Sequence, residues 1–330
     1  MGEFDLIERF FKPAAAQPGA AAQIALGIGD DCALLQPGAG MQLAVSSDML
    51  VQGRHFFADA DPVALGHKAL AVNLSDLAAM GARPLCFTLA LALPAADECW
   101  LAGFSNGLLA LARQHQCPLV GGDTTRGPLN ICICVLGEVP AGQALRRSGA
   151  QVDDDIWVSG TLGDARLALQ ALQGQCALPA PVLAQARQRL DRPTPRVALG
   201  QALRGIASSA IDLSDGLAAD LRHVLRASDV GAVLDATALA NLLAVGASTF
   251  AASDLPDAPT CLSLALTGGD DYELLFTAAP ARQADILAAA RTAQTPVTRV
   301  GHVVAERGLW QTGPHGARTP VDARGFDHFG

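Results

Sequence analysis

Five short segments of the sequence place glycine or serine beside aspartate, each at the end of an apolar run. They occupy residues 27–31, 46–48, 121–123, 211–216 and 268–271. A single segment of this kind is most often a turn, but five of them in one chain favour a shared site. Clustered carboxylates repel one another, and Mg²⁺ suits them because it prefers oxygen ligands and binds phosphate oxygens. Glycines also let backbone N–H groups approach phosphate closely. The pattern therefore predicts a site that holds several magnesium ions and handles phosphates.

Other polar residues extend this pattern. Asp76 follows Asn73 by one helical turn, so both lie on one face of a predicted helix. His55, just beyond Asp48, is a candidate contact to a substrate. Arg126 and Arg146 follow glycine-containing segments, where an arginine can clamp phosphates or simply face solvent. The residues alone leave both readings of the two arginines open.

Composition excludes several classes of protein. The net charge of -9 argues against broad binding to nucleic acid or to anionic membranes, since both need a basic surface. The start is acidic and has no apolar export segment, and the longest apolar stretch, near residues 85–96, is too short to span a bilayer. The eight cysteines show no metal-binding spacing, which favours free thiols in a reducing cytoplasm.

Other nucleotide-binding and catalytic motifs are absent. The glycines near residue 27 lack the third glycine of the dinucleotide fingerprint, and neither Lys12 nor Lys68 follows a glycine as a Walker A loop requires. The His-Arg-Asp signature of protein kinases does not occur. Residues 103–107 match the nucleophile-elbow pattern but lie inside a helical pattern, so we treat the match as chance.

Helix and strand patterns alternate along the chain, which predicts an α/β or α+β protein. A Gly/Arg/Asp-rich stretch predicts two domains, residues 1–142 and 143–330. Helices are predicted at residues 3–11, at 62–80 with Gly81 closing the helix, and at 95–115, 164–172, 182–190 and 217–227. Strands are predicted at residues 41–45, 85–93, 118–120, 130–139, 156–159, 208–213 and 274–276.

The aspartate pattern by itself permits several functions. A phosphotransferase, a metal-dependent phosphohydrolase and a non-catalytic metal- or nucleotide-binding protein all gather carboxylates around divalent ions. An activity assay distinguishes the three. A transferase needs an acceptor, a hydrolase releases phosphate without one, and a binding protein has no turnover.

Several blocks of sequence resemble the thiamine-monophosphate kinases and follow that family's order along nearly the whole chain. Residues 71–82, Ala-Val-Asn-Leu-Ser-Asp-Leu-Ala-Ala-Met-Gly-Ala, and 121–127, Gly-Gly-Asp-Thr-Thr-Arg-Gly, are specific together. Each alone also resembles the wider superfamily of aminoimidazole-ribonucleotide and selenophosphate synthetases. No reactive cysteine lies in a glycine-rich N-terminal segment, as a selenophosphate synthetase needs, and the ending Gly-Phe-Asp-His-Phe at residues 325–329 favours the thiamine family.

The resemblance implies a function and a fold. The expected reaction is transfer of the ATP γ-phosphoryl group to thiamine monophosphate, which gives thiamine diphosphate with the help of several Mg²⁺ ions. The expected fold has an N-terminal synthetase-like α/β domain, which binds ATP and pairs its sheet with that of a second subunit in a homodimer. A C-terminal α+β domain follows, and the acceptor lies near the subunit and domain boundary.

The resemblance also implies roles for single residues. Magnesium ligands are expected at Asp31, Ser46, Ser47, Asp48, Asp76, Asp123, Asp212 and Asp215. ATP contacts are expected at Gly122, Asp123, Arg147 and Ser214. Thiamine monophosphate contacts are expected at His55, Asp270 and Phe326, with Phe326 stacked on the thiamine rings. The family carries glutamate where this chain has Asp270, and it carries other aromatics at the position of Phe326.

No strong general base is expected for this reaction. The acceptor is a phosphate monoester whose oxygen is already ionised near neutral pH. Because donor and acceptor are both anionic, bound cations must let them approach. We therefore expect direct in-line transfer without a phospho-enzyme.

Overall fold

The computed structural model describes residues 3–12, 23–28, 32–247, 250–313 and 316–322. The chain divides into two compact units, the first made of Met1–Leu77 with Ala82–Gly142 and the second of Ala78–Gly81 with Gln143–Gly330. Both units mix helices and strands, so the predicted α/β class is confirmed. In the described residues no helix is long and apolar enough to cross a membrane.

The first unit alternates helices with long strands. In chain order the elements are α1 (Glu3–Leu6), continued by a π-helix (Ile7–Phe11), β1 (Ile24–Leu26), β2 (Leu34–Leu35), β3 (Met41–Val51), α2 (Pro62–Ala79), β4 (Arg83–Leu93), α3 (Glu98–Gln114), β5 (Leu119–Arg126) and β6 (Asn130–Pro140).

A four-stranded sheet with the order β3-β6-β4-β5 forms the centre of this unit. β4 and β5 are parallel, and the other two pairs are antiparallel. Helices α2 and α3 cross almost in backbone contact. A Cβ added at Gly66 would lie 2.1 Å from the Phe104 carbonyl oxygen, and one at Gly107 would lie 1.9 Å from that of Val63. Only glycine fits at these two positions, so the helix pair is locked together.

The second unit contains more and shorter elements. They are β7 (Asp155–Ser159), α4 (Asp164–Leu172), α5 (Ala180–Asp191), α6 (Val197–Ala202), β8 (Ser209–Asp212), α7 (Leu217–Ser228), β9 (Gly231–Asp235), α8 (Ala236–Ala240), α9 (Ala258–Thr267), β10 (Leu274–Ala278), α10 (Gln283–Thr292), β11 (Val297–Val304), β12 (Leu309–Thr312) and β13 (Arg318–Pro320).

These strands form one seven-stranded sheet with the order β13-β12-β9-β11-β7-β10-β8. All its pairs are antiparallel except β12 with β9. An apolar core lies between sheet and helices, with Leu217 and Leu221 of α7 against Ile211 of β8 and Leu275 of β10. The amphipathic face of α7 thereby fixes where the β8–α7 loop lies.

Three of the five glycine-aspartate segments are positioned differently from the prediction. The strand predicted at residues 41–45 continues to Val51, so residues 46–48 lie inside β3. The strand predicted at 118–120 continues to Arg126, so residues 121–123 lie inside β5. Residues 268–271 follow helix α9, not a strand. The polar residues of β3 and β5 remain in the strands because their backbones pair with β6 and β4. The local pattern of apolar residues cannot reveal this pairing, because the partner strands lie elsewhere in the sequence.

Candidate functional site

One group of polar side chains forms where β3 passes over α2. The Ser46 hydroxyl donates a hydrogen bond to the Asp76 carboxylate. The backbone N–H of Asp48 donates to Asn73 Oδ1 at 3.1 Å, and Asn73 Nδ2 donates to the Ala69 carbonyl at 3.0 Å. Asn73 is buried, so its amide has a fixed orientation. The contacts bring together Ser46, Asp48 and Asp76, three of the predicted metal ligands.

The electrostatics of this group suit a cation. Burial, with a smaller contribution from the charge of Asp76, raises the pKa of the Asp48 carboxyl to about 6. Two carboxylates and a hydroxyl are hard oxygen donors, which Mg²⁺ prefers. Across the described residues, no three His, Cys, Asp or Glu side chains lie together as a metal centre. The β3 group therefore offers a partial shell, of the kind that Mg²⁺ completes with waters and phosphate oxygens.

Ser47 does not share this environment. Neighbouring residues of a strand point to opposite faces, so Ser47 lies across the sheet from Ser46 and Asp48. Its hydroxyl lies 3.6 Å from Cys132 Sγ. The side chains of Ser46 and Ser47 thus cannot converge, although the sequence groups them.

Strand β5 carries the Gly121-Gly122-Asp123 segment at the opposite edge of the sheet. Gly122 has φ +147°, and a Cβ there would lie 1.9 Å from the Leu89 carbonyl oxygen. Asp123 is exposed and pairs with Ala90 of β4. Because three strand spacings separate β3 from β5, about 14 Å of sheet lies between the backbones of Asp48 and Asp123. The structure does not bring Asp123 to the β3 group within one chain.

A cavity of about 830 Å³ opens beside β5. Its wall includes Gly121, Gly122 and Asp123, together with Phe11 and Lys12 from the N-terminal helix. The volume is typical of small-molecule sites, which combine apolar walls with a few placed polar groups. This cavity lies within the first unit and has the aromatic, cationic and backbone groups that a nucleotide needs.

His55 lies in the turn after β3. Its Nδ1 accepts a hydrogen bond from the Val51 N–H at 2.9 Å, and the backbone N–H of His55 donates to the Val51 carbonyl at 3.0 Å. The two bonds hold the imidazole at the end of β3. Asp31 and Phe326, the first metal ligand and the ring-stacking residue of the prediction, lie outside the described residues.

In the second unit three predicted site residues lie between β8 and α7: the metal ligand Asp212 ends β8, and the ATP contact Ser214 and the metal ligand Asp215 lie in the loop that follows. The carboxylate of Asp220, in the first turn of α7, accepts hydrogen bonds from the N–H groups of Asp215 at 3.1 Å and Gly216 at 3.2 Å. Burial, with a second contribution from the charge of Asp215, raises the pKa of Asp220 to about 7. Asp220 thus fixes the shape of the loop.

A second loop, residues 268–272, lies directly against the first. The Asp270 N–H donates to the Ser214 carbonyl at 2.9 Å, and the Tyr272 N–H donates to the Leu213 carbonyl at 2.8 Å. These bonds bring Asp270, a predicted substrate contact, beside Ser214, a predicted ATP contact.

The segment that carries Arg147 is anchored to the end of α7. The Ser228 hydroxyl accepts from the N–H groups of Gly149 and Ala150, both at 3.1 Å, and donates to the Arg147 carbonyl at 3.3 Å. The Ala210 N–H of β8 donates to the Arg146 carbonyl at 2.9 Å. Helix α7 therefore supports two loops, one at each end.

Three residues that support these loops are not predicted from the sequence: Asp220, Ser228 and Tyr272. An aspartate four residues after Gly216, in the first turn of a helix, is a signal that could have pointed to Asp220. Tyr272 is the chain's only tyrosine, but nothing in its spacing indicates a partner.

Comparisons with known proteins identify the family. A family model described as AIR synthase related protein, N-terminal domain, matches residues 29–139. A thiamine-monophosphate kinase of Salmonella typhimurium is 45% identical over 329 residues, which cover 99% of this chain and 98% of the relative. The chain belongs to the thiamine-monophosphate kinase family. The resemblance noted in the sequence is thus confirmed.

Solved structures of thiamine-monophosphate kinases agree with the fold. That of the thiamine-monophosphate kinase from Stenotrophomonas maltophilia K279a has a TM-score of 0.83 and 46% identity, covering 95% of this chain and 97% of that one. AaThiL, complexed with AMPPCP and TMP, has a TM-score of 0.74 and 28% identity, covering 99% of this chain and 97% of that one. Both cover the two units of this thiamine-monophosphate kinase family member.

Proposed function

We propose that this protein transfers the ATP γ-phosphoryl group to thiamine monophosphate and forms thiamine diphosphate. The carrying observation is the 45% identity to a named thiamine-monophosphate kinase across nearly the whole of both chains. The related AaThiL, complexed with AMPPCP and TMP, supports an ATP-like donor together with this acceptor. ATP is then the co-substrate. We propose that the reaction takes place in the cytoplasm, where ATP is available.

We propose that magnesium is the cofactor, because the donor set at β3 is made of hard oxygens whose mutual repulsion a cation relieves. In the first unit Ser46, Asp48 and Asp76 would hold it. Asp212 and Asp215 would hold it in the second unit, and Asp31, Ser47 and Asp123 remain proposed ligands. When bound, Mg²⁺ neutralises phosphate oxygens and stabilises charge on the transferring group.

The chain's own residues bind and orient the phosphates. Gly121 and Gly122 present strand backbone to the β5 cavity, and Arg147 adds a cationic side chain in the second unit. Asp270 and His55 would hold the acceptor. We assign no general base, because the acceptor oxygen needs no proton removed. Transfer is direct, so a chiral-phosphate experiment should give inversion at phosphorus, and retention would contradict this step.

We further propose that two copies pair through the part of the four-stranded sheet that β3 and β6 leave exposed. Val45 and Met49 are 60% and 53% exposed, and their register partners on β6 bring Cys132 and the neighbouring Cys134 onto the same face. Ala90 continues the face on β4. Exposed apolar side chains such as Val45 and Met49 are typical of an interface between identical subunits.

The homodimer is tested by light scattering. Val45→Lys places a charge on the β3 part of this face and should give monomers at concentrations where the unmodified chain is dimeric. Leu287→Lys, on an exposed position of α10, is the control and should leave the dimer intact. If the unmodified chain is monomeric, or if both variants stay dimeric, this interface is wrong.

The activity is tested by following ADP formation with a panel of acceptors. We expect ADP to form with thiamine monophosphate and with no other phosphorylated acceptor. Asp48→Asn should lower turnover at least 100-fold, whereas Asp59→Asn, an exposed aspartate in the following turn, should leave it unchanged. Phosphate release without acceptor would indicate a hydrolase. Stabilisation by ATP without turnover would indicate a binding protein.

A further inference from the structure

Tyr272 makes a side-chain contact that no part of the proposed chemistry uses. Its hydroxyl donates a hydrogen bond to Asp270 Oδ1 at 3.1 Å. It is the only tyrosine in 330 residues. Both residues are partly exposed, so the phenol and the carboxylate lie at the surface of the second unit and not in its core.

The backbone around this pair is held in an unusual conformation. Asp270 has φ +66° and Tyr272 has φ +49°, although neither is glycine. L side chains seldom adopt this left-handed region, so two such residues within three positions need firm support. Strained backbone of this kind concentrates at sites that bind ligands.

The support comes from the residues that alternate with the pair. Both Asp271 carboxylate oxygens accept from the Gly163 N–H at 3.0 Å. Glu273 is fully buried and ion-paired with Arg189 and Arg196. Asp271 and Glu273 thus anchor the loop in the interior, while Asp270 and Tyr272 face outward. The only phenol of the chain thus contacts a carboxylate whose backbone is fixed by the buried residues on either side of Tyr272.

We propose that Tyr272 is a positioning residue for the acceptor: its hydroxyl holds the Asp270 carboxylate in the orientation that receives thiamine monophosphate. The inference rests on the proposed function, in which Asp270 contacts this substrate. The acceptor carries a cationic thiazolium ring and an aminopyrimidine, and a carboxylate can attract the first or accept a hydrogen bond from the second. Without the phenol, the Asp270 carboxylate loses a hydrogen bond that fixes its orientation, so more of its ordering must occur when the substrate binds.

The test is a double-mutant cycle on the full chain with Tyr272→Phe, Asp270→Ala and the double variant. Tyr272→Phe keeps the ring and removes one neutral hydrogen bond, so KM for thiamine monophosphate should rise about five-fold. KM for ATP and kcat should stay within two-fold. In the Asp270→Ala background the tyrosine change should have no further effect, because Tyr272 acts only through that carboxylate.

Each outcome has a distinct meaning. The inference is overturned if Tyr272→Phe leaves KM for thiamine monophosphate unchanged, or if its effect persists after Asp270 is removed. If Asp270→Ala itself leaves KM unchanged while thiamine monophosphate is still phosphorylated, Asp270 has no acceptor role and the inference falls, but the proposed function stands. If the unmodified chain does not phosphorylate thiamine monophosphate, the proposed function is the part that fails. Thermal unfolding of each variant confirms that the fold is retained.

Discussion

Replacing Gly122 by alanine should damage the first unit far more than replacing Gly121, although the two residues are neighbours in one strand. A Cβ at Gly122 would lie 1.9 Å from the Leu89 carbonyl oxygen, and φ is +147°. At Gly121 the nearest atom to an added Cβ is Thr88 Cγ2 at 3.9 Å, an ordinary contact. The pair therefore provides a test and a matched control in the same motif.

The expected loss in the free energy of unfolding follows from how far β5 must move away from β4. A carbon and an oxygen need more than 3 Å between them, so β5 must shift by over an ångström from β4 at this point. Such a shift breaks about two ladder hydrogen bonds at roughly 1 kcal/mol each. The strained φ adds about 1–2 kcal/mol. The free energy of unfolding should therefore fall by about 3–4 kcal/mol for Gly122→Ala and by less than about 0.5 kcal/mol for Gly121→Ala.

Differential scanning calorimetry measures both variants. A loss of this size should lower the Tm of the first unit by about 10 °C. The Gly121→Ala protein should unfold within about 2 °C of the unmodified chain. A Gly122→Ala protein with unchanged Tm, or equal losses in the two variants, would show that the close approach to Leu89 does not exist.

Three further predictions concern the second unit. The pKa of Asp220 is about 7 in the folded protein and 3.8 ordinarily, so the folded state binds more protons between these two pH values. The metal-free protein should therefore lose stability as the pH rises from about 4 to 7, and Asp220→Asn should remove up to about 4 kcal/mol of this pH dependence in urea unfolding. Stability curves of the variant and the unmodified protein that run parallel with pH would refute this prediction. Ser228→Ala should raise KM for ATP about five-fold through the Arg147 segment, with Ser228→Thr near normal, as initial rates will show. Glu273→Gln should destabilise the chain by about 3–5 kcal/mol in thermal unfolding, because it removes the buried charge that two partly buried arginines share. The exposed Glu306→Gln should change little.

Much of the fold could be predicted from local patterns. The helix predicted at residues 164–172 has those bounds as α4, and Pro62 does begin α2. These elements carry clear apolar periodicity and helix-start signals. The ends of β3 and β5 could not be predicted, because their polar residues are held by pairing with β6 and β4, which are distant in sequence.

The sequence predicts which residues are candidates for the site, and only part of their geometry could be predicted. Ser46, Asp48 and Asp76 do meet, and Asp270 does lie beside Ser214. Ser47, however, points away from Ser46, and Asp123 lies at the other edge of the sheet, since strand alternation and sheet order decide both positions. The aspartate segments look alike in sequence, so nothing local separates the residues that converge from those that do not.

The crossing of α2 and α3 at Gly66 and Gly107 has a consequence for the charged pair that α2 shares with β3. Because the two helix backbones already touch, α2 has no room to retreat when Asp48 and Asp76 are both ionised. The electrostatic repulsion between the two carboxylates therefore persists in the folded chain. A divalent ion bound between them would relieve this repulsion and so stabilise the folded first unit, apart from any role in the reaction.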